Sequence, residues 1–101
     1  GGEDNDTLYG DDNTLATTGD DILHGDGGND FLYGNAGDDE LYGDAGRDVL
    51  SGQAGEDELH GGTGNDSLDG GDDDDELHGG IGNDRLMGGN GNDFLDGEAG
   101  L

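Results

Sequence analysis

Along this chain the apolar positions recur neither every two residues nor every 3.6, but every nine. Leucine stands at Leu23, Leu32, Leu41, Leu50, Leu59, Leu68, Leu77, Leu86 and Leu95, with Leu8 ahead of them. Written from Gly25, the chain reads GDGGNDFLY, GNAGDDELY, GDAGRDVLS, GQAGEDELH, GGTGNDSLD, GGDDDDELH, GGIGNDRLM, GGNGNDFLD and the stub GEAGL; the opening GGEDNDTLY is one more copy in register. A fixed repeat of this length decides the architecture before any local assignment does. The first six residues of each copy, rich in Gly, Asp and Asn, read as a turn, because those types accept positive φ at least steric cost. The last three, such as Phe31-Leu32-Tyr33, read as a short strand with position eight facing one way and positions seven and nine the other. A strand of three residues cannot stand alone, so the pattern predicts copies stacked into parallel sheets around a leucine column, an all-β solenoid.

The polar positions are equally strict. Position six is aspartate in every copy: Asp6, Asp21, Asp30, Asp39, Asp48, Asp57, Asp66, Asp75, Asp84 and Asp93. Position one is glycine throughout, and position four is glycine except at Asp4 and Asp73. The one irregularity lies between Gly10 and His24, where fifteen residues replace nine. It reads either as a six-residue insertion at about 13–18 or as two shortened copies with Asn13 and Leu15 in positions six and eight, the insertion being preferred. The expected organisation is a single uncapped array over residues 1–101 with an irregular loop near 10–18.

Composition shows that leucine burial alone cannot hold such an array. Only 26% of the 101 residues are apolar and 26 are Gly, a balance that places the free chain with disordered sequences. Its 28 acidic residues against Arg47 and Arg85 give a net charge of -26, which argues against nucleic acid and anionic membranes as partners. There is no Cys, so neither disulfides nor thiolate metal sites can act as staples. The first ten residues carry no signal-peptide pattern, and no apolar run reaches membrane-spanning length. Ten leucines fall far short of the entropy of ordering the chain, and carboxylate repulsion widens the gap.

A hard divalent cation answers both problems. Calcium takes six to eight oxygens from carboxylates and backbone carbonyls in forgiving geometry, and the turns supply both kinds. Magnesium demands tighter octahedral geometry, zinc lacks the Cys or clustered His it prefers, and no EF-hand loop is present. The metal-free chain is therefore expected to be unfolded.

These copies resemble the Gly-Gly-x-Gly-x-Asp-x-U-x nonapeptides of the repeats-in-toxin (RTX), or hemolysin-type calcium-binding, family, and GGTGNDSLD at 61–69 fits every fixed position. The resemblance implies a right-handed parallel β-roll with two nonapeptides per coil and calcium in the turns. It also implies that the ten position-six aspartates are ligands, together with glycine carbonyls of the turns. Those carry over to Gly25, Gly34, Gly43, Gly52, Gly61, Gly70, Gly79 and Gly88 at position one and to Gly28, Gly37, Gly46, Gly55, Gly64, Gly82 and Gly91 at position four. Position two departs from Gly at Asp11, Asp26, Asn35, Asp44, Gln53 and Glu98, where Asp and Asn accept left-handed backbone more readily than Gln53. One ion per facing pair of turns gives about eight internal sites and brings the charge from -26 to about -10. On this reading Asp75 is the ligand within the acidic tract Asp72 to Asp75.

His24, His60 and His78 fall at position nine and share one outer face with Tyr42 and Asp96, beside Glu40, Glu58 and Glu76 at position seven. A transition-metal site of His60, His78, Glu58 and Glu76 is one option; solvated side chains that relieve the glutamate ladder are the expected one. Phe31, Tyr33, Val49 and Phe94 should point outward, as isolated surface groups or as a docking surface for flanking domains. The sequons at Asn5 and Asn65 each contain a predicted ligand and are ascribed to chance. No catalytic motif occurs, so no enzyme activity is expected of this segment. The expected function is a calcium-dependent folding module of a secreted, extracellular bacterial protein, as the resemblance implies for type I secretion. The alternatives are a region of a calcium-dependent adhesin or the accessory tail of a secreted protease, lipase or polysaccharide epimerase.

Overall fold

The computed structural model of the protein describes Gly2, residues 7–9 and residues 19–99; Asp6 and the irregular stretch at 10–18 lie outside the described residues. Within them the chain forms ten strands and no helix: β1 (Thr7–Tyr9), β2 (Ile22–His24), β3 (Phe31–Ala36), β4 (Glu40–Tyr42), β5 (Val49–Ala54), β6 (Glu58–Thr63), β7 (Ser67–Asp72), β8 (Glu76–Ile81), β9 (Arg85–Gly89) and β10 (Phe94–Asp96). Odd strands make one parallel sheet in the order β1-β3-β5-β7-β9, and even strands make the other in the order β10-β8-β6-β4-β2. Each coil thus spends one nonapeptide on each sheet, giving the expected all-β parallel roll.

The register follows the repeat. Leu32 lies opposite Leu50, Leu50 opposite Leu68, and on the other sheet Leu41 opposite Leu59 and Leu59 opposite Leu77. The β1–β3 pair sets Thr7 opposite Phe31, so six more residues separate these partners than separate partners elsewhere. Six strands are longer than the predicted three residues, and five of them run six residues, from position seven to position three of the next copy. Because each coil lies directly over its own copy, the ladder continues past the leucine, with Gln53 opposite Gly71 and Thr63 opposite Ile81. It does so although position two has positive φ: 71° at Asp44, 79° at both Asn35 and Gln53, 102° at Gly62. Gln53 therefore accepts the same backbone as Asn35, and donates from Nε2 to Asn35 Oδ1 at 3.2 Å.

Alternation along the strands buries positions eight and one and turns seven and nine outward. Leu32, Leu41, Leu50, Leu59, Leu68 and Leu77 are completely inaccessible and form one column, with Leu23 buried and Leu8 and Leu86 packed partly against it. Leu95 departs from the column, 45% exposed, on the edge strand β10, which no described strand covers on its outer side. Phe31 and Phe94 are exposed as expected, and Tyr33 and Val49 are half-buried on the outer face.

Candidate metal centre

Two residues before each leucine, at the mouth of the turn, stands the position-six aspartate. Asp30, Asp39, Asp48, Asp57, Asp66 and Asp75 are at most 3% exposed, whereas Asp21, Asp84 and Asp93 are half-buried towards the ends of the roll. They form two columns, one per sheet edge. In each, Oδ1 of one aspartate accepts the backbone N–H of its counterpart one coil earlier: Asp30 N–H to Asp48 at 2.8 Å, Asp48 N–H to Asp66 at 2.8 Å, Asp57 N–H to Asp75 at 2.9 Å, Asp75 N–H to Asp93 at 3.0 Å. Half of each carboxylate thus completes the backbone where the ladder ends.

At six of these aspartates the other half finds no donor. Oδ2 of Asp21, Asp48, Asp57, Asp66, Asp75 and Asp84 is buried and accepts no hydrogen bond. A buried carboxylate oxygen without a donor or cation is costly, since its water has been removed and nothing replaces it. The carboxyls respond by holding protons: burial pushes Asp57 up to about 7, with the charges of Asp39 and Asp75 adding to it and the Asp39 amide pulling back. Burial likewise raises Asp66 and Asp75 to about 6, and raises Asp48.

Glycine at position one is required by space. A Cβ on Gly61 would lie 2.6 Å from Oδ2 of Asp66 and 2.5 Å from the carbonyl oxygen of Gly79 in the next coil. The glycine face is therefore covered by a carboxylate oxygen and a carbonyl oxygen at once, and Gly25 and Gly43 likewise meet the aspartate of their own copy and the glycine carbonyl one coil on. Position four is glycine for a different reason. Gly64 has φ 135°, and a Cβ there would collide with the carbonyl of Gly46 one coil earlier. Asp73, the substitution at that position, takes φ 77° instead.

Position five contributes an interaction that the repeat consensus left open. Asn29 Oδ1 accepts the N–H of Arg47 one coil later, Asp38 accepts that of Glu56, Asn65 that of Asn83 and Asp74 that of Asn92, at 2.7 to 2.9 Å. Side chains at position five thus reach forward one coil while those at position six reach back. The sequence signal was present, because Asn or Asp fills position five in every described copy except those of Arg47 and Glu56.

The structure brings each described position-six aspartate from Asp30 to Asp93 against the position-one glycine of its own copy, from Gly25 to Gly88. The position-four glycines stack on one another along the turn, Gly28, Gly46, Gly64 and Gly82 on one edge and Gly37 with Gly55 on the other. The oxygens gathered at the turns belong to carboxylates and carbonyls, and the carboxylate Oδ2 atoms of Asp48, Asp57, Asp66 and Asp75 among them lack a protein donor. That is the chemistry of a calcium site and not of a thiolate or imidazole one.

On the outer face of the second sheet, His24, Tyr42, His60 and His78 stack with ring centroids 4.7, 4.8 and 4.9 Å apart and nearly parallel planes. Tyr42 donates to Glu40 at 3.0 Å, and His60 and His78 each pair through Nε2 with Glu58 and Glu76 at 2.7 Å. His60, His78, Glu58 and Glu76 consequently form two separate pairs and do not close on a common point, in keeping with the glutamate-relieving role expected of them.

A family model for the RTX calcium-binding nonapeptide repeat matches in four copies, at residues 1–14, 15–50, 51–86 and 78–100. Comparison with curated proteins and with solved structures finds no match. The stacked aspartate and glycine columns and the family match over nearly the whole sequence agree: this chain belongs to the RTX calcium-binding nonapeptide repeat family.

Proposed function

We propose that this calcium-binding roll is a folding switch, unfolded where calcium is scarce and folded where a secreted bacterial protein meets millimolar calcium outside the cell. The observation that carries this reading is the row of buried Oδ2 atoms at Asp48, Asp57, Asp66, Asp75 and Asp84 that no donor satisfies. Calcium bound at the turns supplies the missing positive charge and joins one coil to the next. The residues that hold it are the position-six aspartates with the carbonyls of the position-one and position-four glycines, in about eight internal sites by one ion per facing pair of turns. Many weak sites coupled through one fold give a steep response to calcium by mass action. An uncoiled acidic chain also suits passage through a secretion channel, and any catalytic activity belongs to other parts of the parent protein.

Circular dichroism of metal-free protein titrated with Ca²⁺ tests the switch. The expected result is a cooperative change from a coil to a β spectrum, reversed by chelator. A β spectrum that persists unchanged in excess EDTA at neutral pH overturns the reading.

A further inference from the structure

On the outer face of the second sheet each position-nine ring, besides any ring stacked on it from the coil before, has three neighbouring positions on its own strand and the next coil, and the His78 ring also meets Phe94 at 5.8 Å. The three positions are position seven of its own strand, position nine one coil on, and position two one coil on. For His24 they are Ile22, Tyr42 and Asp44; for Tyr42, Glu40, His60 and Gly62; for His60, Glu58, His78 and Gly80. For His78 they are Glu76, Asp96 and Glu98. On this face His78 is the ring that meets a carboxylate in all three places.

The contacts assign different tasks to those carboxylates. Glu76 Oε1 lies 2.7 Å from Nε2 of His78. A carboxylate there takes the Nε2 proton in a hydrogen bond and leaves Nδ1 with its lone pair, the way an outer carboxylate prepares a metal-binding imidazole. At the other end of the ladder His24 shows where Nδ1 faces, 3.3 Å from Oδ2 of the position-two residue Asp44 one coil on. The residue in that place for His78 is Glu98. Asp96 is the direct strand partner of His78, and the Glu98 N–H donates to its Oδ1 at 2.9 Å, which orients the carboxylate. Ligand atoms of His78, Asp96 and Glu98 all lie within 4.8 Å of one another, with His78 and Asp96 half-buried and Glu98 exposed.

We propose that His78, Asp96 and Glu98 bind a divalent first-row transition ion, zinc being the best match, at a site separate from the calcium turns. One imidazole and two carboxylates leave a fourth position for water, a donor set within zinc's range. The nitrogen donor discriminates against calcium and magnesium, which take oxygen.

The test is a titration of the full chain with Co²⁺ in saturating calcium, followed by displacement with Zn²⁺. One equivalent of Co²⁺ should give a visible ligand-field absorption that zinc abolishes. His78→Ala and Glu98→Gln should each weaken binding by about tenfold or more, and Glu58→Gln, outside the site, should leave it within about twofold. Absence of the absorption, or its retention at full affinity in both His78→Ala and Glu98→Gln, overturns the proposal. The calcium-induced dichroism change is recorded on the same samples, so loss of this site is distinguished from loss of the calcium response, and Glu98→Gln at an exposed position serves if His78→Ala folds poorly.

Discussion

Asp48 and Leu50 stand two residues apart on the same turn of chain, and both are 0% exposed. Leu50 lies between Leu32 and Leu68 in a column of identical side chains, so its burial is favourable in itself: apolar surface leaves water and meets apolar surface. Asp48 lies between Asp30 and Asp66 in a column built with the same regularity. Its burial completes one backbone hydrogen bond and leaves Oδ2 bare. The repeat has therefore made two interiors of equal dryness, one finished by the chain and one left with a bare carboxylate oxygen.

Withdrawing calcium should break that comparison most severely, since every aspartate column loses its counter-charge together; loss of the whole β signal in EDTA is expected. Next in size, Leu59→Ala should cost about 2 to 5 kcal/mol of stability measured in saturating calcium, the usual range for a fully buried leucine. Asp57→Asn sharpens the comparison because the amide keeps the acceptor for the Asp39 N–H while removing the charge. It should raise the calcium midpoint several-fold, yet in chelator it should leave the residual structure unchanged or slightly increased, a reversal that Leu59→Ala must not show.

Proton binding gives a smaller effect of the same kind. Asp57, at about 7, and Asp66 and Asp75, at about 6, hold protons more tightly when folded than the ordinary value of 3.8 allows. Native chain thus binds more protons than unfolded chain between about pH 7 and 4, so without metal compact structure should be gained as pH falls through that window. With calcium present the proton competes with the ion, so the calcium midpoint should rise over the same window; dichroism titrations at several pH values check both signs. Smallest of all, Glu58→Ala on the outer face should shift stability by no more than about 0.5 kcal/mol, despite its pairing with His60.

The period, the leucine column, the aspartate column and the two parallel sheets were legible because each depends on a residue type recurring at fixed spacing. Strand length was not. Asn35, Gln53 and Gly71 read as turn residues, and their ladder exists only because coils superpose, a long-range condition absent from any local window. Nor was the reason for glycine at position one visible in sequence: turn propensity suggests a need for positive φ, whereas Gly61 is glycine because Asp66 Oδ2 and the Gly79 carbonyl occupy the space a side chain needs. The forward bonds from Asn29 and Asp38 were hidden in residues whose turn propensity already explained their presence. The grouping of His78 with Asp96 and Glu98, in place of His60 and the glutamates, depends on which neighbour each ring nitrogen faces, and spacing alone does not encode that.

The 18-residue offset between paired positions also makes the roll indifferent to one kind of length change and intolerant of another. Deleting two consecutive copies removes a whole coil and restores every pairing above the cut. Deleting one copy, such as residues 43–51, sends each later strand to the opposite sheet. The leucine and aspartate columns would survive such an edit, because both sheets carry them identically, but His60 would arrive across the roll from Tyr42 and the ring stack would be cut. The interior of the molecule can thus be lengthened or shortened in half-coil steps, while whatever is written on its two outer faces is inherited only in whole ones.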